Sequence, residues 1–271
     1  MRKNGSLLKL TIAIAFVVLT AIAAADPYVC GDVDDSGGID IDDVVFLIAY
    51  IFSGGPAPDP GCCAPDCPPT VTDYDGNLYQ TVVIGDQCWM AENLKVTHYR
   101  NGDPIPHVTN AGTWSGLSTG AYCEYDNNPA NVSTYGRLYN WHAVDDSRSI
   151  APAGWHVPID AEWKQLEMNL GMSAAEADAT WWRGTDEGGK LKEAGTIHWN
   201  SPNTGATNES GFTALPGGYR AADAFDRMGI QARFWSSTVD AWYRILSYYE
   251  SQVSRNYSGR VCGFSVRCVR D

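Results

Sequence analysis

The sequence is short of basic residues and of long apolar runs, and both shortages restrict what the protein can be. It holds 19 Lys and Arg against 32 Asp and Glu, a formal net charge of −13. So acidic a chain repels phosphate backbones, which argues against nucleic-acid binding. Beyond residues 1–25, no apolar stretch approaches the roughly 20 residues that span a bilayer. We therefore expect no membrane span once those residues are removed.

The residue patterns of common catalytic sites are also missing. The five histidines are scattered, without the close spacing of zinc ligands. Ser236 and Ser237 lack the Gly-x-Ser-x-Gly context of a nucleophile elbow. Asp160 and Glu162 could suggest a glycosidase pair, but they lie where a helix is predicted to begin and are explained as its cap and first-turn charges. The sequence therefore predicts no enzymatic activity.

Residues 1–25 have the layout of a secretory signal peptide. Arg2, Lys3 and Lys9 supply the basic start, an apolar run covers 10–22, and Ala25 ends a small-residue cleavage site. Cleavage would remove three of the 19 basic residues and none of the 32 acidic ones, which leaves a net charge of −16. We expect a secreted or cell-surface-associated protein.

Residues 26–56 contain the spacing of a 12-residue calcium loop. Oxygen ligands recur at alternate positions, Gly37 falls where the chain must turn sharply, and Ile39 would pack beneath the loop. Ca²⁺ prefers six to eight such oxygens. The predicted ligands are Asp32, Asp34, Ser36, Gly38, Asp40 and Asp43.

An apolar helix is predicted directly behind this loop. It covers residues 43–52 and ends at Gly54-Gly55-Pro56, with an inward stripe formed by Val44, Leu47, Ile48 and Ile51. A loop followed by a helix, with no helix before it, resembles one type I dockerin repeat. That resemblance implies attachment to a cohesin-like or cell-surface partner. Dockerins usually carry two repeats, so we expect one chain with a single repeat to bind cohesin weakly or not at all.

A linker rich in Pro, Gly and Cys follows at residues 57–70. All eight cysteines lie after the signal peptide, and an even count in an exported protein favours disulfides. A zinc site at Cys62, Cys63 and Cys67 is the alternative, but it lacks a second ligand pair. The eight are Cys30, Cys62, Cys63, Cys67, Cys88, Cys123, Cys262 and Cys268.

Residues 71–271 read as short elements separated by many turns. A hairpin is predicted from Tyr79–Ile84, a turn at Gly85-Asp86 and a strand over Cys88–Leu94. One helix should follow Pro158, capped by Asp160, and end at Gly171. A second should run from a capping box at Ser173 and Glu176 to about Trp182. Later strands are predicted near Phe234–Ser237, Ala241–Ser247 and Phe264–Val269.

Several motifs in this region occur together in one known family. They are Val83–Leu94, Tyr99–Pro106, Tyr135–Trp141, Pro152–Pro158, Gly188–Glu193, Phe212–Arg220, Phe234–Ser237 and Gly263–Arg270. From Thr72 onward the chain resembles the Fibrobacter succinogenes major paralogous domain, a relative of the C-type-lectin-like and formylglycine-generating-enzyme folds. The resemblance implies an α+β, C-type-lectin-like domain over residues 71–271, with two helices, small twisted antiparallel sheets and much irregular loop. It also implies that Trp89, Trp141, Trp155, Trp163 and Trp235 are core residues.

The same resemblance narrows the disulfide pairing. Cys123 and Cys268 fall in stretches typical of the family, whereas Cys88 and Cys262 stand where other residues are commoner. We therefore expect the bonds Cys88–Cys262 and Cys123–Cys268, with Cys30 joined to Cys62, Cys63 or Cys67.

One segment has the composition of a binding surface. Between residues 219 and 258 the chain is rich in Tyr, Ser and Asn with occasional Trp and Arg, the side chains that adaptable binding surfaces use. The alternative is that alternate strand residues simply face the core. The candidate ligand-binding residues are Tyr219, Arg220, Trp242, Tyr243, Tyr248, Tyr249, Asn256 and Tyr257.

These observations favour a secreted, non-catalytic recognition module for a carbohydrate or protein ligand, with a calcium-binding dockerin-like repeat for attachment. Two alternatives remain open at this point. One is an accessory or hydrolytic component of extracellular polysaccharide degradation, because dockerins usually tether such enzymes. The other is a structural cell-surface protein.

Overall fold

A computed structural model describes residues 41–53 and 66–271. The chain divides into two units, Met1–Ala64 and Pro65–Asp271. In the first unit, helix α1 runs over Ile41–Ser53, which confirms the predicted helix. Its residues Val44, Ile48 and Ile51 are 49%, 52% and 63% exposed, so the inward stripe is wrong for these three. Within the described ranges no helix is both long and apolar enough to cross a bilayer.

The second unit is built mainly from short strands. In its described part β1–β14 are, in order, Thr70–Thr72, Leu78–Ile84, Gln87–Met90, Tyr122–Cys123, Leu138–Asn140, Trp155–His156, Trp181–Arg183, Gly217–Arg220, Phe225–Met228, Gln231–Trp235, Trp242–Ser247, Val253–Tyr257, Gly263–Phe264 and Val269–Arg270. Helices α2–α7 are Ala111–Ser115, Val132–Tyr135, Trp141–Val144, Asp160–Asn169, Ala174–Asp178 and Glu187–Leu191. This mixture of sheets and short helices confirms the α+β class, but the described part of the unit has six helices where two were expected.

The strands form two sheets. A five-stranded sheet has the order β1-β2-β3-β14-β6, and a nine-stranded sheet has the order β4-β5-β13-β8-β10-β11-β12-β7 with β9 beside β8. Strands β2 and β3 pair as an antiparallel hairpin with Ile84 opposite Gln87, which confirms the predicted turn. In the nine-stranded sheet β10 runs parallel to β8 and antiparallel to β11.

Helix α5 packs its tryptophan between the two sheets. The ring of Trp163 lies 4.8 Å from that of Trp89 on β3 and 5.8 Å from that of Phe234 on β10. All five tryptophans expected in the core are buried, at 3% exposure or less. The side chain of Glu162 accepts from the amide of Ile159, which precedes the helix. Asp160 was expected to cap this helix; instead its carboxylate meets buried arginines.

The second predicted helix is shorter than expected. Its capping box at Ser173 and Glu176 forms, but the helix ends at Asp178 and Trp181 and Trp182 belong to β7. The extension to Trp182 is therefore wrong. The physical reason is pairing: β7 hydrogen-bonds along β12, with Trp182 opposite Ser254, and aromatic residues suit a pleated, half-buried surface.

The predicted disulfide pairing is also wrong. Cys67 is bonded to Cys88, with their Cα atoms 5.3 Å apart, while Cys123, Cys262 and Cys268 are free thiols. Residues 66–69 run beside β2, where the amide of Thr81 donates to the carbonyl of Pro69, and this brings Cys67 next to β3. Cys123 and Cys268 belong to separate apolar clusters, so they cannot meet as a disulfide requires. Cys30, Cys62 and Cys63 lie outside the described residues.

Candidate functional site

The four strands β10, β11, β12 and β7 carry most of the exposed aromatic side chains near the C-terminus. Their register places Trp242 opposite Tyr257 and Arg244 opposite Arg255, and Arg255 in turn opposite Trp181. Directly paired residues project to the same side of a sheet. All five side chains therefore share one side, which we call the α5 face because α5 packs against it.

At one end of the α5 face, three aromatic side chains reach solvent. Trp181 and Tyr257 are both 67% exposed, and Trp242 is half-buried. The rings of Trp242 and Tyr257 meet edge to face, with centroids 5.7 Å apart. The guanidinium of Arg255 lies 3.9 Å from the centre of the Trp242 ring. We call Trp181, Trp242 and Tyr257 the aromatic platform.

A cleft opens beside the platform. Its volume is about 420 Å³, and it is lined by Trp242 and Tyr257 together with Asp240, Ala241, Ser258 and Arg260. An acid, a hydroxyl and a guanidinium thus border two aromatic rings. Pockets of this kind bind small molecules through apolar contact and fix their orientation with a few polar groups.

The backbone around the platform is strained. Trp181, Asp240 and Ala241 have φ angles of 67°, 78° and 53°, in the left-handed region that side chains with a Cβ seldom adopt. Each such backbone conformation lowers the stability of the fold by on the order of 1–3 kcal/mol, and it is kept only where the surrounding structure enforces it. Strain of this kind concentrates at ligand-binding positions.

The platform rests on a network of buried ion pairs. Asp160, on α5, receives Nη1 of Arg244 and Nη2 of Arg255, each at 2.7 Å. Burial raises the pKa of Asp160, but the hydrogen bonds and charges of the two arginines outweigh it and hold that pKa well below its ordinary value. Asp160 is therefore a carboxylate at neutral pH, and it fixes the Arg255 guanidinium under Trp242.

The network extends along α5 to Glu167, which is fully buried. Glu167 Oε1 receives Nε of Arg244 at 2.6 Å, and Oε2 receives Nη2 of Arg183 at 2.5 Å. Two acids on α5 thus hold three arginines from β7, β11 and β12. Removing one partner of a buried pair leaves an uncompensated charge, so these pairs lock the helix to the sheet.

Comparison with known proteins places this domain in a family. Residues 82–270 match the Fibrobacter succinogenes major domain, which is more than two thirds of the 271-residue chain. The chain belongs to this family. No curated protein and no solved structure gave a significant match. The match begins in β2 and ends in β14, so the major domain includes the whole aromatic platform and its ion pairs.

The sequence-predicted ligand residues are divided among several places in the major domain. Trp242 and Tyr257 belong to the platform. Tyr243 and Asn256, a directly paired couple, point to the opposite face of the sheet. Arg220 is buried and donates to the carbonyls of Val108 and Thr109.

The remaining candidates lie elsewhere on the same sheet. Tyr248 and Tyr249 follow the far end of β11, with their rings 5.1 Å apart. Tyr219, on β8, lies against Arg233. Trp181 is not among the predicted ligand residues, because the sequence predicts a helix that runs to about Trp182. The adjacent aromatic pair at 181–182 favours a strand and was the available signal.

Only one of the predicted calcium ligands falls in the described chain. Asp43 lies in the first turn of α1, while Asp32, Asp34, Ser36, Gly38 and Asp40 lie outside the described residues. Across residues 41–53 and 66–271, no three His, Cys, Asp or Glu side chains are grouped to hold a metal ion.

Proposed function

We propose that this protein is an extracellular, non-catalytic recognition module whose major domain binds carbohydrate on the aromatic platform. The observation that carries the proposal is the exposure of two aromatic side chains. Trp181 and Tyr257 are each 67% exposed, on a face whose arginine side chains are held in place by buried ion pairs. Large aromatic groups left in water on a rigid surface lower the free energy by packing against a ligand.

The chemistry of the cleft favours a sugar over an apolar ligand. A sugar ring presents C–H groups on its face and hydroxyl groups around its rim. The rings of Trp242 and Tyr257 can pack against the first, and Asp240, Ser258 and Arg260 offer hydrogen-bonding groups to the second. The cleft contains one carboxylate, Asp240, whereas glycoside hydrolysis ordinarily needs two. Its lining therefore suits binding better than hydrolysis.

Binding of the full-length protein to a panel of neutral oligosaccharides, measured by calorimetry, tests the proposal. Trp181→Ala, Trp242→Ala and Tyr257→Ala should each weaken binding about tenfold or more, since truncation of a central aromatic anchor commonly costs 2 kcal/mol or more. Tyr249→Ala is the matched control, because Tyr249 is 47% exposed but lies past the far end of β11. Unchanged affinity in all three platform variants would refute the proposal.

We propose in addition that residues 26–56 bind Ca²⁺ as a dockerin-like repeat, through Asp32, Asp34, Ser36, Gly38, Asp40 and Asp43. Support comes from the all-oxygen donor set and from α1, which begins at Ile41 and so has Asp43 in its first turn. Asp32→Ala combined with Asp43→Ala should abolish the heat of calcium binding. A wild-type protein that releases no heat with Ca²⁺ would exclude the site.

The proposal also includes export of the protein by its signal peptide and attachment of the exported protein to a partner through the dockerin-like repeat. The exposed Val44, Ile48 and Ile51 of α1 supply apolar area for a cohesin-like or cell-surface partner. Secretion predicts that the exported chain begins at Asp26, which N-terminal sequencing of the extracellular protein checks. A C-type-lectin-like fold is proposed from the family resemblance, and an experimental structure of the protein would test it.

A further inference from the structure

The side of the nine-stranded sheet opposite to the α5 face holds an arginine in an unusual setting. Arg233 on β10 is directly paired with Ile245 on β11, Ile245 with Ser254 on β12, and Ser254 with Trp182 on β7. These four residues form a row across the sheet on the face that Tyr243 and Asn256 also share.

Aromatic rings surround the guanidinium of Arg233. Its central carbon lies 3.5 Å from the centre of the Tyr219 ring, and 5.5 Å and 5.7 Å from the centres of Phe264 and Tyr243. Such contacts attract the cation to the rings and fix its plane. The guanidinium is therefore held in one orientation before any ligand arrives.

The hydrogen-bonding capacity of Arg233 is largely unused. Nε and Nη2 both donate to the same oxygen, Oε1 of Gln231, at 3.1 Å and 2.8 Å. Among the described residues Arg233 has no carboxylate partner, and its Nη1 has no acceptor. By contrast, Arg267, which is 1% exposed and also packs against aromatic rings, donates to Asn93 and to the carbonyls of Phe212 and Thr213.

An anion would complete this arrangement. Guanidinium has five N–H donors in a planar fork that fits the two oxygens of a carboxylate. Burial lowers the pKa of Arg233, which means that its charge is partly desolvated without a compensating acid. Arg233 is half-buried, so part of its side chain remains accessible to a ligand.

We propose that Arg233 is the carboxylate-binding residue of a second site, and that the ligand is a uronate, a sugar ring that carries a carboxylate. Ile245 and Ser254, in the middle of the row, are only 8% and 1% exposed, so the accessible part of the site lies at its Arg233 end. There the half-buried ring of Tyr219 offers a surface to a sugar face. The half-buried side chain of Asn256, unpaired within the described chain, can hydrogen-bond sugar hydroxyls.

Calorimetry on the full-length protein with trigalacturonate, its methyl ester and tri-glutamate tests this assignment. The methyl ester replaces each carboxylate by a neutral group that carries one added methyl, so it should bind at least about tenfold more weakly. Arg233→Gln should weaken trigalacturonate binding to a similar degree. Arg233→Lys should recover only part of it, because an ammonium keeps the charge but loses the planar fork. Unchanged near-ultraviolet circular dichroism would show that both variants remain folded.

Three outcomes would overturn the assignment. The first is equal binding of acid and ester, and the second is equal binding of tri-glutamate, which would mean a carboxylate site for peptides. The third is loss of trigalacturonate binding in the Trp181→Ala/Trp242→Ala double variant, which would place the ligand on the platform. Failure of the platform to bind neutral sugars would leave the Arg233 site standing, so the two proposals fail separately.

Discussion

Arginine side chains have opposite surroundings on the two faces of the same sheet. On the α5 face, Arg183, Arg244 and Arg255 meet the carboxylates of α5 at 2.5–2.7 Å. On the opposite face, Arg233 meets three rings and one amide oxygen. The first arrangement is complete within the protein and serves the fold. The second is incomplete, and an incomplete site of this kind is what a ligand can finish.

Substituting one arginine on each face tests this difference most directly. Arg244→Met would leave Asp160 and Glu167 without their shared partner, and breaking a buried ion pair costs about 3–5 kcal/mol. Arg233→Met removes ring contacts and two hydrogen bonds to one amide oxygen, and we expect a loss of about 1 kcal/mol. Urea unfolding of the two variants beside the wild type measures both. Equal losses would mean that Arg233 is as structural as Arg244.

A buried lysine offers a further test, because its ammonium group donates its hydrogen bonds to carbonyl oxygens. Lys192 is fully buried and donates to the carbonyls of Thr204, Ser247 and Glu250 at 2.8–2.9 Å. Lys192→Met keeps the volume but leaves these acceptors unpaired, so it should cost about 2 kcal/mol. Urea unfolding again provides the measurement. A loss as small as that for Arg233→Met would show that carbonyl acceptors alone do not make a cation structural.

The sequence predicted those features of the fold that depend on residues close together in the chain. The hairpin at Gly85-Asp86, the helix after Pro158 and the capping box at Ser173 follow from turn chemistry and periodicity within about ten residues. The five core tryptophans came instead from the family resemblance. Each of these features is present in the structure.

Features set by distant contacts were missed or misassigned. Strand β12 includes Arg255, a charged residue whose burial depends on its ion pair with Asp160. The sequence of β12 therefore lacks the apolar alternation that indicates a strand. The sequence position of Asp160 is typical of a helix cap. Its ion pairs with arginines of β11 and β12 depend on residues that lie far away in the sequence. The partner of Cys88 depends on how residues 66–69 run along β2. The platform needs β7, whose assignment depends on pairing with β12.

Acid should weaken the α5 face before it affects the opposite one. The folded pKa of Asp160 lies below its ordinary value of 3.8, so the stability that it contributes is complete above that pH and is lost as pH falls toward the folded value. Unfolding free energies between pH 6 and pH 2 should fall steeply in the wild type and less steeply in Asp160→Asn. We expect a smaller effect than that of Arg244→Met, because a protonated Asp160 still accepts hydrogen bonds. Parallel pH profiles would exclude this role for Asp160.

A half-exposed ion pair at the edge of α5 should give the smallest effect, with the opposite dependence on pH. His156 contacts Glu162 through Nε2 and Asp271 through Nδ1, each at 2.7 Å. The hydrogen bond that His156 donates to Glu162, supported by the one to Asp271, raises the pKa of His156 above its ordinary 6.5, although burial opposes the shift. The stability that it contributes is therefore complete below pH 6.5 and is lost as pH rises through the folded pKa.

Because the pair is partly solvated, this contribution should be only about 0.5 kcal/mol. We expect wild-type stability to decline between about pH 6 and pH 8, and His156→Gln should remove this decline. Thermal unfolding across that range measures it. Asp271→Asn is the matched variant: it keeps one of the two carboxylates and should retain part of the decline. A wild-type stability that stays level or rises over this range would contradict the assignment and leave Asp160 as the only titrating contact on α5 with a predicted effect on stability.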